Sequence, residues 1–288
     1  MLYLKLVLTA VFWGGTFVAG RVVSQELAPF SAALLRFLVA GVVLVPFLWA
    51  SGRGLPRLTR RQALSVCLLG LTGVFAYNAF FFAGLKTVPA SRASLIIANN
   101  PAFIALFSSL LLGERLRTVQ VAGIALSVAG AVAVISRGDP VALLAGGLHG
   151  GELYILGCVA SWVAYSLVGK VALVDLPPLA AVTYACLIGA GFLAVPAALE
   201  GVHRAALHLS PGAWAGLLYL GGLGTAAGFI WYYQGIQAVG PSRAGVFINF
   251  VPVSGVLLAC LILGETLDAS LWVGGTLVAG GVILANRR

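Results

Sequence analysis

Ten apolar runs, each about as long as a membrane is thick, make up most of this chain. A hydrocarbon core of about 30 Å needs roughly 20 predominantly apolar residues per helix. Cutting the sequence at its charged or Gly/Pro-rich breaks leaves runs at 3–23, 30–50, 63–83, 93–112, 119–136, 152–172, 179–199, 213–233, 244–263 and 271–286. No run shows the in/out alternation of a membrane β-strand, so the pattern predicts an all-α membrane protein with ten transmembrane helices. The breaks are short, which makes consecutive helices antiparallel neighbours. The longer ones are 51–62 and 137–151. The second carries Arg-Gly-Asp-Pro and then Gly146, Gly147, Gly150 and Gly151, and forms the natural linker between two halves.

The halves are related. Residues 84–137 align on 235–288 at a shift of 151, with 17 identities in 54 positions and no gap. Gly84, Val88, Ser91, Arg92, Ala93, Ile97 and Pro101 return as Gly235, Val239, Ser242, Arg243, Ala244, Ile248 and Pro252. Gly113-Glu114 returns as Gly264-Glu265, Gly123 as Gly274 and Gly130 as Gly281. Apolar composition alone would not bring a Ser-Arg-Ala, a proline and a Gly-Glu into one register. At a shift of 149, Trp13, Arg21 and Pro29 match Trp162, Lys170 and Pro178. The first run, with Lys5 ahead of it, has the look of a signal peptide. Its copy lies mid-chain, so it is read as a retained helix. The expected organisation is a first repeat at 1–137, a linker at 138–151 and a second repeat at 152–288. Five spans per half turn the second repeat upside down, and inverted repeats are the usual architecture of alternating-access transporters.

Composition agrees with the pattern. The chain is 61% hydrophobic and 9% charged, against about 25% charged in soluble proteins, so lipid is its solvent. The excess of 17 Lys+Arg over 8 Asp+Glu does not indicate nucleic acid, because the basic residues are scattered through the breaks. Their placement sets orientation. With the N-terminus in the cytoplasm, Lys5, Arg53, Arg57, Arg60, Arg61, Arg115, Arg117, Lys170, Arg243, Arg287 and Arg288 face inward. Arg21, Lys86, Arg92, Arg137 and Arg204, in loops or at span ends, face out. Positive residues are retained inside, so both termini are expected in the cytoplasm. Cys67, Cys158, Cys186 and Cys260 lie in apolar runs without a metal or disulfide spacing. His149, His203 and His208 sit in loops without ligand spacing, so neither a metal nor another cofactor is expected.

An early Trp-Gly-Gly-Thr (13–16), Arg36-Phe37 in the second run, Pro-Ala-Ser-Arg-Ala (89–93), Leu-Leu-Gly-Glu-Arg (111–115), Pro-Ser-Arg-Ala (241–244) and Leu-Gly-Glu-Thr (263–266) recur in that order. In these motifs, and over nearly its whole length, the chain resembles the EamA-type members of the drug/metabolite transporter superfamily. Among them it is most similar to the YddG-type exporters of aromatic and other neutral amino acids. The resemblance implies a bacterial inner-membrane protein, compatible with a monomer. It also implies a central cavity lined by helices 1, 3, 4, 6, 8 and 9, with the fourth and ninth interrupted. Small multidrug relatives carry a membrane-embedded glutamate in their first helix. Here that helix reads Phe-Trp-Gly-Gly-Thr, which puts proton coupling through a buried carboxylate in doubt.

The residues that could carry transport follow from depth and spacing. Pro101 and Pro252 lie eight positions into their runs, where proline removes a donor and strips carbonyls 97 and 248 of helical partners. Unsatisfied backbone at membrane depth is tolerated against protein or a water-lined cavity. It marks either a packing kink or a midplane site, and matched interruptions beside Asn99-Asn100 and Asn249 favour the site. Trp13 and Trp162 are repeat equivalents near mid-span, below any interfacial belt, as are Phe81 and Tyr232. Tyr77 and Phe81 share a face with Asn78 beside them, and Trp231-Tyr232-Tyr233 is expected to end the eighth helix. Thr16 and Tyr165 complete the candidate lining. Tyr3, Trp49 and Trp272 fit the interfacial belt. Aromatic faces bind apolar side chains and attract ammonium groups. Arg36, about 9 Å below a span end, has either a structural role or one toward a substrate carboxylate. Gly212/Gly216 and Gly224/Gly228 allow close helix contact.

A transporter or facilitator that exports neutral and aromatic amino acids or similar small metabolites by alternating access is therefore expected, with transport of a drug, a phosphorylated metabolite or a nucleotide-sugar on the same fold as the alternative. Phosphorylated substrates would need several cavity arginines or lysines. An enzyme would need a nucleophile or acid/base set in the spans, and an ATP-driven pump a Walker motif, which this chain lacks.

Overall fold

A computed structural model describes residues 1–52, 54–141, 147–148, 150–172 and 176–286. Arg53, His149, Arg287, Arg288 and the linker stretch 142–146 lie outside the described residues. The spans are α1 (Leu2–Glu26), α2 (Pro29–Ala50), α3 (Arg60–Leu85), α4 (Ala90–Ile97, then Asn100–Leu112), α5 (Thr118–Ile135), α6 (Gly150–Ala172) and α7 (Pro178–Leu199). They continue with α8 (Pro211–Val239), α9 (Pro241–Val246, a 3-10 turn Phe247–Asn249, then Phe250–Leu263) and α10 (Ala269–Ala285). Among the described residues nine of these are long and apolar enough to cross a membrane, and α10 is a shorter apolar helix. At 17 residues it spans about 26 Å.

The ends follow local chemistry. Thr59 and Gln62 form a capping box at α3, and Ser210 and Asp268 cap α8 and α10 through their side chains. Gly113 and Gly264 stop α4 and α9 in the left-handed region, at φ 72° and 67°, which explains the repeated Gly-Glu. Boundaries fall within three residues of the apolar runs except at α8. That helix continues to Val239, so Trp231-Tyr232-Tyr233 lie inside it instead of ending it. The neutral Gln234 is covered by α1, with Lys5 Nζ donating to its side-chain oxygen at 2.9 Å. Between α7 and α8, His203 and His208 sit on short helical turns, Val202–Ala205 and Ala206–His208.

Repeat symmetry is written into the α5–α10 contact. A Cβ on Gly123 would come 2.7 Å from the carbonyl oxygen of Gly281, and one on Gly281 2.6 Å from that of Gly123. Gly130 and Gly274 meet in the same way, at 2.7 and 2.8 Å. The repeat exchanges these two pairs, so its pseudo-two-fold axis runs between α5 and α10. Gly216, Gly224 and Gly228 seat α8 against Val23, Thr16 and Trp13 of α1. Gly212 meets only its own turn at Ser210.

Candidate functional site

Two stretches of wider helical turn lie at equivalent places in the halves. Gly70–Ala76 of α3 and Tyr219–Ala227 of α8 are π-helical, and the shift of 151 carries 70–76 onto 221–227. Apolar periodicity does not disclose such turns. Their trace in the sequence is crowded glycine, at Gly70, Gly73, Gly221, Gly222 and Gly224. A π turn leaves carbonyls without their usual partners and is common at functional sites. Here side chains supply the donors. Asn78 Nδ2 donates to Val74 O at 2.9 Å and to Gly73 O at 3.3 Å. In α8, Thr225 Oγ1 donates to Leu220 O at 2.8 Å and Trp13 Nε1 to Gly224 O at 2.9 Å.

Arg36 sits between the two stretches. It lies on the inner face of α2 with Ala33, Phe37 and Ala40, and is 9% exposed. Its Nη1 donates to Asn78 Oδ1 at 3.0 Å, and its Nε and Nη2 both donate to Thr225 Oγ1 at 3.2 Å. One guanidinium thus ties the π turn of the first repeat to that of the second.

Aromatic rings lie beside the two π stretches in two groups, Tyr165 against Gly73 and Trp13 on Gly224. Trp162 packs on Tyr165 and Tyr77, with centroids 5.1 and 5.4 Å apart, and Tyr77 stacks on Phe81 at 5.8 Å. Trp13 packs on Tyr232 at 5.2 Å and Phe229 at 5.5 Å, and Tyr233 adjoins both of these rings. Each group joins side chains of both repeats. Where the first has Tyr77 against Trp162, the second has Gly228 against Trp13. The hydroxyls of Tyr77, Tyr165, Tyr232 and Tyr233 have no hydrogen-bond partner among the described residues. The four residues are partly exposed inside the bundle. Tyr233, which sequence reasoning left out of the lining, belongs with them. Thr16 backs the second group, with its methyl against Gly224 and its hydroxyl on Trp13 O.

The breaks in α4 and α9 precede the prolines. Pro101 and Pro252 fall in the first turn of the segments that follow, where a missing N–H costs nothing. The interruption is therefore at residues 98–99 and 247–249, not at a mid-helix proline. The two asparagines differ. Asn99 is buried, its amide donating to Leu95 O and Ile96 O at 3.1 Å and accepting from Ser127 Oγ at 2.5 Å. Its side chain is thus held against α5 by Ser127. Asn249 is partly exposed and has no partner among the described residues.

Carboxylates hold helix starts on the face opposite the two termini. Glu265 accepts from Ala90 N, Ser91 N and Ser91 Oγ at 2.8, 2.9 and 2.5 Å. Glu200 accepts from Ser31 N and Oγ at 2.7 and 2.8 Å, and Glu26 from Ser210 N at 2.8 Å. Arg92, expected in a loop, lies in the first turn of α4, buried, and pairs with Asp268 at 2.8 Å. Desolvation pushes the Asp268 carboxyl up, but hydrogen bonds from Ser270 and Leu271 and the Arg92 charge outweigh it and hold it below its ordinary range.

The EamA-like transporter family matches residues 1–136 and 149–287, one match to each half. This chain belongs to that family. It is 31% identical to a probable terminal-alkyne amino-acid exporter of Streptantibioticus cattleyicolor, over 98% of this chain and 92% of that one. It is 29% identical to the uncharacterized transporter YyaM of Bacillus subtilis, covering 99% and 93%. It is 28% identical to the uncharacterized inner membrane transporter YedA of Escherichia coli, covering 96% and 87%. A solved crystal structure with 24% identity superposes at a TM-score of 0.64, covering 98% of this chain and 96% of that one. This EamA-family member is an integral membrane transporter built from two inverted repeats.

Proposed function

We propose that this transporter moves neutral and aromatic amino acids out of a bacterial cell by alternating access, with both termini in the cytoplasm. The observation that carries the reading is the pair of aromatic groups beside the π turns that Arg36 ties together, with four tyrosine hydroxyls free of partners among the described residues. Rings offer faces to apolar side chains and to an ammonium, at about 0.5–2 kcal/mol per good contact. Free hydroxyls and the Asn249 amide offer donors and acceptors to a zwitterion. A relative named as a probable amino-acid exporter supports the same substrate class. Phosphorylated metabolites fit less well, because among the described residues Arg36 is the lone cation bonded to the π turns beside these rings. Monomeric protein suffices for the reading, since both aromatic groups form within one chain.

Transport in protein-loaded liposomes with labelled amino acids tests it. Trp13→Ala and Trp162→Ala are expected to raise the half-saturating concentration for large side chains about tenfold, the equivalent of about 1.4 kcal/mol. Trp49 and Trp272, 69% and 64% exposed, belong to the lipid interface, and their alanine variants are expected to keep selectivity. Normal transport of all substrates by the first pair, with altered selectivity in the second, would remove the site from the aromatic groups. Flux is expected to follow the substrate gradient and to respond weakly to an imposed pH gradient.

A further inference from the structure

We propose that Arg36 is a carboxylate subsite, so that this transporter selects its substrates by a free carboxylate. The inference deepens the amino-acid reading and rests on it for the rest of the ligand. Its own basis is a mismatch between the charge of Arg36 and its surroundings. The residue is buried deep in the bundle, yet no carboxylate of the described residues pairs with it. The ion pairs among them are Arg92–Asp268 and Lys170–Glu114. The side chains that bond Arg36 among the described residues are Asn78 and Thr225, neither of them charged.

A guanidinium has five N–H donors. Three are used, one on Asn78 and two on Thr225, which leaves one on each terminal nitrogen. Both acceptors are neutral, and both are themselves needed to close the π turns. A purely structural tie between Asn78 and Thr225 needs donors but no charge, and a buried charge without an opposite one is costly. The charge finds its use when an anion arrives. A carboxylate matches the planar guanidinium and forms charge-assisted bonds to it.

The neighbours suit the rest of an amino acid. Asn78, which accepts from Arg36, follows Tyr77 of the Trp162 group and donates to the carbonyl of Gly73, a residue that lies against the Tyr165 ring. Thr225, the other acceptor of Arg36, follows Gly224, whose carbonyl accepts from Trp13 of the second group. An anion at Arg36 would lie between the two aromatic groups. It would also touch the residue that joins the two repeats, so occupancy would be felt by both π turns.

The test measures binding to the purified full-length protein by ligand-induced thermal stabilisation. The probes are phenylalanine, 3-phenylpropionate, phenethylamine and phenylalaninamide. Wild type is expected to bind phenylalanine and 3-phenylpropionate, and to bind the two probes without a carboxylate roughly tenfold more weakly or worse. Arg36→Gln is expected to lose that preference by weakening only the carboxylate probes, and Arg36→Lys to restore part of it. Equal weakening of all four probes by Arg36→Gln would make Arg36 a structural tie alone and overturn the proposal. Equal binding of phenethylamine and phenylalanine by wild type would also overturn it, and needs no variant to fold. Arg36-dependent binding of 3-phenylpropionate without binding of phenylalanine would keep the subsite and remove the amino-acid reading.

Discussion

The beginnings of α4 and α9 are copies of one another, yet the structure treats them differently. Ser91, Arg92 and Ala93 are buried, with Glu265 bonded to two N–H groups at the helix start and Asp268 paired with Arg92. At the other end of the molecule Arg243 is exposed. Glu114, the copy of Glu265, pairs instead with Lys170, both side chains being about half exposed. Nearly the whole of residues 90–100 is buried, whereas α9 is mostly accessible. Sequence symmetry allows either end to close. The contacts close one, the face opposite the termini, and leave the other loose. With both termini in the cytoplasm, as proposed above, the tightly packed end would be the outer one.

The largest effect is expected from fixing the closed end. In a protein lacking its native cysteines, a disulfide between Ser91→Cys and Glu265→Cys should abolish transport, and reduction should restore it. Unimpaired transport by the cross-linked protein would mean that this end does not open in the cycle, and the comparison would lose its meaning.

Next comes the axis between the repeats. Gly281→Ala would drive a Cβ to 2.3 Å from the backbone nitrogen of Ser127, and overpacking of this kind costs about 1–3 kcal/mol. Gly222→Ala meets nothing within 4 Å and should leave thermal stability in detergent unchanged. Equal melting temperatures would show that α5 and α10 slide freely on each other.

Removing single charges should separate the two ends. Glu265→Gln loses charge-assisted contacts at a helix start, worth about 1 kcal/mol. It should raise labelling of a cysteine at position 94 from outside by about fivefold. Glu114→Gln loses a half-exposed pair worth about 0–1 kcal/mol and should change the same labelling little. An effect of Glu114→Gln as large as that of Glu265→Gln would show that Glu114 holds a helix end in the opposite conformation.

The smallest effect concerns pH. The Asp268 carboxyl is held below its ordinary range, so its contribution is present above the unfolded value of about 3.9 and is lost as pH falls through the lowered one. Labelling at position 94 should therefore stay constant between about pH 5 and 8. A rise in that window would assign the clasp to a group other than Asp268.

Much of this was legible from one sequence. Lipid as solvent makes apolar length decisive, so all ten spans and most of their ends follow from run length alone. The repeat gave the inversion because an odd number of spans fixes direction. Gly-Glu marked two helix ends because a left-handed residue is needed there. The aromatic candidates gather in two groups beside the π turns, since mid-span tryptophans have few places to go besides the interior.

What the sequence left open depended on partners distant along the chain. A π turn differs from an α turn by one residue of register, and it persists here because Asn78, Trp13 and Thr225 reach the freed carbonyls. No periodicity records that. Asn99 and Asn249 look alike in sequence, and only the approach of Ser127 on α5 decides that Asn99 is fully occupied. Arg36 was visible as a charge in an apolar run, but the absence of a carboxylate beside it is a property of packing. A two-fold set of helices with matched interruptions is already written in the order of residues, because local hydropathy and chain direction suffice for it. Which end packs tightly and what surrounds the buried charge depend on contacts between distant segments, because two similar copies cannot choose between two similar partners.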